Sequence, residues 1–220
     1  MANSKVLTII GMGEGISMAL AQKFGQQDFT IAMISRSDAK LKQYQKQLHQ
    51  DGIEAYYYLA DVANSQELKE SLLYIHESLG SIDVLVYNAA AVRKVDLMRI
   101  EEQDLMMDFK VNTLGALTAT QAVVREMESQ GGGKIFFTGG GLSTHPNPQY
   151  GSLAIGKAGL RNLTYSLYQQ LKPLNIHVAT VTVNGFVQAS DEKYNPEAIA
   201  AQFWNLYEQT AEDAEPEISY

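Results

Sequence analysis

The sequence predicts a three-layer α/β/α fold, in which helices cover both faces of a doubly wound parallel sheet of six to seven strands. Short apolar runs rich in β-branched residues alternate with helical patterns of ten or more residues. This alternation is typical of right-handed βαβ units. The strand candidates are apolar almost throughout, as expected when both faces of a sheet are buried.

Each predicted strand is a short apolar run. The strands comprise residues 5–10, 30–35, 54–60, 82–87, 134–138 and 176–183, with a candidate edge strand at residues 217–220.

Helical patterns fill the intervals between the strands. Asp38 is predicted to cap the second helix, and Asn64 or Ser65 the third, because short polar side chains accept hydrogen bonds from the first helical N–H groups. Pro173 is predicted to end the fifth helix. The helices comprise residues 18–24, 38–50, 64–79, 101–127 with a bend near Gly115, 150–172 and 196–207. The acidic stretch 208–217 is interpreted as a solvated segment.

Composition narrows the classes of function. We interpret residues 1–220 as a single domain, because no linker, repeat or low-complexity stretch divides them. A net charge of −8 argues against a general nucleic-acid surface. Cysteine is absent and the four histidines lack ligand-like spacing, so no metal site is predicted. Without a recognisable signal peptide or an apolar stretch near ~20 residues, we expect a cytoplasmic protein without membrane contact.

The first strand leads into Gly11-x-Gly13-x-Gly15, which opens the first helix. Glycines at these positions let the backbone turn tightly and approach a pyrophosphate at the helix N-terminus. A glycine triplet alone is also compatible with a plain turn, but a strand before it and a helix after it favour a Rossmann-type dinucleotide site.

The residues after the second strand favour NADP (NADPH) over NAD. An NAD site usually has an acidic residue about 20 positions after the glycines, where it binds the ribose 2′-hydroxyl. This chain has Ser35-Arg36 there, and no acid before Asp38. The planar guanidinium of Arg36 suits a 2′-phosphate. The alternative is a solvated arginine at a strand end.

Over nearly its whole length the chain resembles the short-chain dehydrogenase/reductase family. Gly11, Gly15 and Ile16 match the first-loop pattern of that family, Gly-x-x-x-Gly-Ile. Asp61-Val62, after the third strand, is similar to the pair that contacts adenine in the family. Ser17 departs from the pattern, because it stands at the third glycine position.

Three further segments carry the resemblance. Asn88-Ala89-Ala90 is similar to the family's Asn-Ala-Gly, which implies contact with the cofactor ribose. Asn112 stands where the family keeps an asparagine that binds a relay water, although a buried structural amide is an alternative. Gly185-Phe186-Val187 resembles the family's Pro-Gly segment, with Asn184 in place of proline. The resemblance implies that Val187 binds the nicotinamide carboxamide through its backbone.

The family's usual catalytic pair is absent. That pair is the tyrosine of Tyr-x-x-x-Lys and a serine thirteen residues before it. Counting back from Lys157, the tyrosine position holds Leu153 and the serine position holds Gly140. A carbonyl reductase built on this pair would lack its proton donor and its oxyanion-polarising hydroxyl.

Tyr150 offers another solution, seven residues before Lys157. Seven helical residues fall within about 20° of two full turns, so both side chains would share one helix face. The spacing resembles the divergent enoyl-reductase branch of the family. That resemblance implies that Lys157 holds the nicotinamide ribose and Tyr150 stabilises the enolate. Alternatively, Tyr150 packs with its hydroxyl in water, and Lys157 extends to the surface.

The sequence therefore predicts an NADPH-dependent oxidoreductase that transfers hydride to a carbonyl or an activated C=C of a small molecule. Tyr150, Lys157 and Asn112 are its candidate catalytic residues. The alternative is a catalytically silent NADP-binding sensor or regulatory protein. By resemblance, a homodimer or homotetramer is expected.

Overall fold

Seven parallel strands form one sheet in the computed structural model, which describes residues 4–220. The strand order is β3-β2-β1-β4-β5-β6-β7, and every neighbouring pair is parallel. The strands are β1 (Val6–Ile10), β2 (Thr30–Ser35), β3 (Ala55–Leu59), β4 (Ile82–Tyr87), β5 (Gly133–Gly140), β6 (Ile176–Val183) and β7 (Glu217–Ser219). The predicted α/β class and all predicted strands, including the edge strand, are confirmed.

Helices cover both faces of this sheet. They are α1 (Ile16–Gly25), α2 (Asp38–Gln50), α3 (Ser65–Leu79), α4 (Glu102–Phe109), α5 (Gly115–Ser129), α6 (Gly151–Leu171) and α7 (Pro196–Glu208). One buried cluster includes Phe24 of α1 and Phe203 of α7, and the other includes Leu72 of α3 and Leu160 of α6. None of the described helices is both long and apolar enough to cross a membrane.

The predicted caps of α2 and α3 have different outcomes. The Asn64 side chain accepts from the backbone N–H groups of Gln66 and Glu67, which confirms its capping role. Asp38 is not the cap of α2, because Ser37 occupies that position and Asp38 is already helical. The Asp38 carboxylate instead accepts from Lys42 Nζ at 2.7 Å, one turn further along the helix.

The predicted helix 101–127 contains a wide turn rather than a simple bend. A π-helical segment, Lys110–Leu114, joins α4 to α5 directly before Gly115. There Tyr87 Oη donates to Val111 O at 2.5 Å. π-Turns of this kind often lie at functional sites, and this one contains Asn112.

The acidic stretch 208–217 is not solvated throughout, which corrects the sequence-based interpretation. Glu217 of β7 is largely buried, with 10% of its side chain exposed. Its carboxylate accepts from Arg161 Nη2 at 2.6 Å, from Tyr165 Oη at 2.7 Å and from Thr182 Oγ1 at 2.5 Å. These bonds attach the edge strand to α6 and β6.

We expect Glu217→Gln to lower the free energy of unfolding by about 1–3 kcal/mol, because it leaves charged and polar donors with a weaker acceptor. Burial raises the pKa of Glu217, but the bonds from Arg161, Thr182 and Tyr165 outweigh it and lower the pKa overall. The stabilisation is therefore present at neutral pH and lost as pH falls through the folded-state pKa. Urea titrations of both proteins between neutral and acidic pH would measure this loss.

The matched control is Glu212→Gln, a change at an exposed residue of the same acidic stretch. If both variants lost the same stability, or if the Glu217→Gln difference did not shrink at acidic pH, the assigned role of this carboxylate would be wrong.

Candidate active site

A cavity of about 1120 Å³ opens at the carboxyl edge of the sheet, beside the adjacent strands β1 and β4. The strand order reverses between these two strands, and such switch points are where α/β sheets bind ligands. Nine predicted cofactor residues line the cavity. They are Gly11, Gly13, Ser35, Arg36, Asp61, Val62, Asn88, Ala89 and Ala90.

The remaining predicted site residues are not among those that line this cavity. Gly15 and Ile16 form the cap and first residue of α1. Tyr150, Asn112, Lys157, Gly185 and Val187 also lie outside its lining.

The glycine loop is held by close packing and by Ser17. Gly11 has φ +87°, and a Cβ there would lie 2.5 Å from Ala89 N, so glycine is required on both counts. Ser17 Oγ donates to Gly11 O at 2.9 Å and accepts from Asn88 Nδ2 at 2.7 Å. The sequence marked Ser17 only as a departure from the family pattern, but its hydroxyl joins the loops after β1 and β4. The missing Cβ at Gly11 thus lets the loops after β1 and β4 pack together.

Two cations stand at the β2 end of the cavity. Arg36 has a side chain that is 76% exposed and lies 3.8 Å from Asp61, an exposed pair that contributes little stability. Lys40, in the first turn of α2, lines the same wall. Sequence reasoning missed Lys40, although a basic residue four positions after Arg36 was a usable signal. Lys40 makes no hydrogen bond or ion pair within residues 4–220, and the weak pair with Asp61 leaves the Arg36 guanidinium accessible to the phosphate of a ligand.

Lys157 is buried in α6, 9% exposed, and its Nζ donates to Thr138 O at 2.5 Å. Burial lowers the pKa of this amine to about 8. The lysine therefore reaches the carboxyl end of β5. The alternative that Lys157 extends to the surface is excluded, because its side chain is buried. A buried amine whose pKa lies near neutrality is a common property of functional sites.

The structure explains what the two family departures do around Lys157. A Cβ on Gly140 would lie 3.9 Å from the Lys157 side chain, an ordinary contact distance, so glycine leaves open space beside the lysine stem. Leu153 is buried one turn before Lys157. Neither position supplies a hydroxyl at this end of β5.

Asn112 bonds the backbone of the loop after β4 through both the oxygen and the nitrogen of its amide. Its Oδ1 accepts from Ala91 N at 2.8 Å, and its Nδ2 donates to Ala91 O at 3.1 Å. The π-turn also packs tightly on α6, where a Cβ on Gly156 would overlap the Asn112 side chain. Asn112 therefore holds the cavity loop against the helix that carries Lys157. Its catalytic role stays a prediction.

Tyr150 is the cap of α6 rather than a helical residue. Its backbone angles are φ −124° and ψ 33°, and α6 begins at Gly151. Helical spacing therefore does not place Tyr150 on the same face of α6 as Lys157, as the sequence predicted. Tyr150 pairs through its backbone with Val95, and its hydroxyl makes no hydrogen bond within residues 4–220. That hydroxyl is available to another partner.

An ion cluster in the wall of the cavity was not predicted from the sequence. Asp108 is 3% exposed and accepts from Arg93 Nε at 2.8 Å and Ser152 Oγ at 2.6 Å. Arg93 also bonds Asp104 at 3.2 Å. Hydrogen bonds from Arg93 and Ser152 outweigh burial and lower the pKa of Asp108. Because the partners lie far apart in sequence, no local motif indicates this cluster, which joins α4 to the first turn of α6.

The segment after β6 is attached to the edge strand. Asn184 N donates to Tyr220 O at 2.7 Å, and Asn184 Nδ2 donates to Ser219 Oγ at 3.0 Å. A proline at this position could not make the first bond. Gly185 follows directly, packed against the ring of Tyr194. The departure at Asn184 thus fixes the start of the segment that carries Gly185 and Val187.

Comparison with known proteins assigns the family. A family model described as short chain dehydrogenase matches residues 5–198. The chain belongs to the short-chain dehydrogenase family. This is a family of oxidoreductases, and the resemblance seen in the sequence is confirmed.

Individual relatives agree with this assignment. A 3-oxoacyl-acyl-carrier-protein reductase of Thermotoga maritima is 30% identical over 193 residues, which are 88% of this chain and 78% of that protein. An uncharacterized oxidoreductase of the same organism is 27% identical over 88% of this chain and 75% of its own length. A metagenomic short-chain oxidoreductase, solved with NADP, has a TM-score of 0.90 at 21% identity and covers 98% of this chain and 96% of its own. This structural similarity shows that the two chains share a fold.

We expect the free energy of unfolding to rise with pH between about 8 and 10.5, because the unfolded chain retains the Lys157 proton after the folded chain has lost it. Lys157→Met removes this difference, so its pH profile should be flatter across that window. Denaturant titrations at several pH values would measure both slopes.

The matched control is Lys46→Met, at an exposed lysine of α2, which should keep the wild-type slope. Identical slopes in wild type and Lys157→Met would contradict a buried amine with a lowered pKa.

Proposed function

We propose that this chain is an NADPH-dependent oxidoreductase that transfers hydride to a carbonyl or an activated C=C of a small molecule. The observation that carries the proposal is Lys157, a buried amine held at the end of β5 by Thr138 O. Burying an amine costs free energy, and no carboxylate within residues 4–220 forms an ion pair with it. We infer that Lys157 is buried, despite this cost in free energy, because it positions a bound nucleotide and substrate.

The wall of the cavity supports a dinucleotide. Gly13 lines the cavity and nothing lies within 4 Å of the position that a Cβ would take there, which suits the close approach of a pyrophosphate. Arg36 and Lys40 suit the 2′-phosphate that distinguishes NADP from NAD. NADPH would supply the hydride that adds to the electrophilic carbon.

Three residues would then support the reaction. Lys157 would bind the nicotinamide ribose and, where it is protonated, lower the energy of negative charge that develops on the substrate oxygen. Asn112 would keep the loop at Ala91 in place. Tyr150, with an uncommitted hydroxyl, would stabilise the oxyanion and return a proton to it.

Specific observations also favour the second candidate, a silent NADP-binding protein. Leu153 and Gly140 supply no hydroxyl beside Lys157, and the amide of Asn112 is occupied by Ala91. Tyr150 caps α6 outside the cavity lining. Tight NADPH binding without turnover of any enone, enoyl thioester or carbonyl would favour this candidate over the enzyme.

Arg36→Ala should weaken NADPH binding by about 10- to 100-fold and NADH binding little, because only NADPH carries the 2′-phosphate that the guanidinium would bind. Fluorescence titration with both nucleotides measures the ratio. Arg125→Ala, at an exposed arginine of α5, should change neither affinity. An equal loss for both nucleotides with Arg36→Ala would remove the NADP preference.

Tyr150→Phe should lower turnover by about 10²–10⁴-fold, the usual contribution of a positioned proton donor, and leave NADPH affinity unchanged. NADPH oxidation across enones, enoyl thioesters and carbonyls measures it, with Tyr74→Phe, at an exposed tyrosine of α3, as the control. Wild-type turnover in Tyr150→Phe would reject the role of this residue.

A further inference from the structure

A second cavity, of about 420 Å³, lies at the opposite edge of the sheet, where the strands begin. Its lining includes Lys134 at the start of β5 and His177 at the start of β6. The ends of α6 and α7 and the segment that follows α7 complete the walls. Because it lies at the amino ends of the strands, this cavity is separate from the candidate active site and independent of the proposed function.

Three lysines face this cavity, Lys5, Lys134 and Lys172. The chain has 25 acidic and 17 basic residues, yet none of these three lysines lies within ion-pair distance of a carboxylate in residues 4–220. Their Nζ atoms instead contact neutral groups. Lys5 bonds Tyr207 Oη at 2.7 Å, and Lys172 lies 3.5 Å from Tyr168 Oη. Three cations that make no direct ion pair, at a concavity that also holds the carboxylates of Asp83 and Glu208, leave a small positive excess that favours an anion.

Lys134 is the least solvated of these cations. Its Nζ bonds only Gln209 O, at 2.5 Å. Lys134 and Lys5 both lie over the ring of Tyr207, at 5.7 and 5.4 Å from its centroid. Burial lowers the pKa of Lys134, the carboxylate of Asp213 partly opposes this effect, and the nearby Lys5 adds a smaller lowering. A bound anion would offset both the burial and the repulsion.

A buried histidine also faces this cavity. His177 is 8% exposed, and its Nδ1 has no hydrogen-bond partner within the described part of the chain. Its Nε2 contacts Glu215 O at 2.8 Å. Because the Glu215 carbonyl can only accept, Nε2 carries the ring proton and Nδ1 is an acceptor. Nδ1 can therefore accept from a hydroxyl of a bound molecule, but it cannot donate to an anion.

The outer wall is held in place without a ligand. Three lining side chains bond backbone oxygens of the segment after α7: Lys134 to Gln209 O, Tyr168 to Ala214 O and His177 to Glu215 O. A wall fixed by such bonds forms a site before the ligand arrives, as is usual for small-molecule pockets.

We propose that this cavity binds the phosphate group of a small molecule. Ammonium groups are compact point charges that suit phosphate, and three of them line this cavity. Asp83 and Glu208 also line the cavity, so its cations exceed its carboxylates by only one. Asp83 already accepts from Val6 N at 2.8 Å. This small excess favours a single phosphate over a nucleic-acid backbone.

The test is titration of the full chain with inorganic phosphate and with glycerol phosphate at constant ionic strength, followed by amide chemical shifts in NMR. We expect saturable shifts at Gly132, Gly133 and His177, and no equal response to chloride. A response to both phosphates indicates a phosphate subsite that accepts organic esters, whereas a response to inorganic phosphate alone indicates an inorganic ion as the ligand.

Lys172→Gln should weaken this binding by about tenfold, and Lys134→Gln by at least as much. Lys46→Gln, an exposed lysine of α2 outside both cavities, should leave it unchanged. If Lys134→Gln fails to fold, the exposed Lys172 alone decides the result. Shifts confined to the Gly11–Gly15 loop, equal affinity in Lys172→Gln and wild type, or no saturable shift would each overturn the proposal.

Discussion

The parallel alignment of the strands is the constraint on which the rest of the structure depends. Because every neighbouring pair runs in the same direction, all carboxyl ends meet at one edge and all amino ends at the other. The loops after β1, β2, β3 and β4 therefore enclose one cavity, although their residues lie as far apart as Gly11 and Arg93. The same alignment gathers lysines from distant parts of the chain at the opposite edge.

Contacts between α6 and its neighbours determine what the carboxyl edge can do. Gly156 allows the π-turn to pack directly on α6, and Thr113 Oγ1 bonds Gly156 O at 2.9 Å. This packing fixes the helix so that Lys157 reaches Thr138 O. Gly140 and Leu153 stand where the family has its serine and tyrosine hydroxyls. The backbone framework that holds Lys157 is therefore present without the usual proton donor.

Several departures from the family pattern have compensating contacts. Ser17 makes two hydrogen bonds where the pattern has glycine. Asn184, in the place of proline, donates to the C-terminal strand through its backbone and its side chain. The nucleotide-binding framework is therefore stabilised by polar contacts of this chain's own. The positions around Lys157 differ, since Gly140 and Leu153 carry no hydroxyl of their own.

The fold was largely predictable, because it depends on local patterns. Buried parallel strands are apolar throughout, and this property marks β1 or β6 without knowledge of their neighbours. Cavity residues such as Gly11 and Arg36 were also predictable, since a strand followed by glycines puts them at a carboxyl edge. The cap of α2 and the π-turn were not, because they depend on side-chain competition and on packing against α6.

Sequence alone determined the class of fold, the glycine loop and the absence of the usual tyrosine and serine, because each follows from residue type and spacing. Only the tertiary structure decided where the polar groups find partners. Asp108 meets Arg93 and Ser152, Glu217 meets Arg161, and Lys157 meets Thr138 O. These pairs are separated by 15 to 56 residues. Contacts over such separations arise from helix and strand packing, which no local pattern specifies.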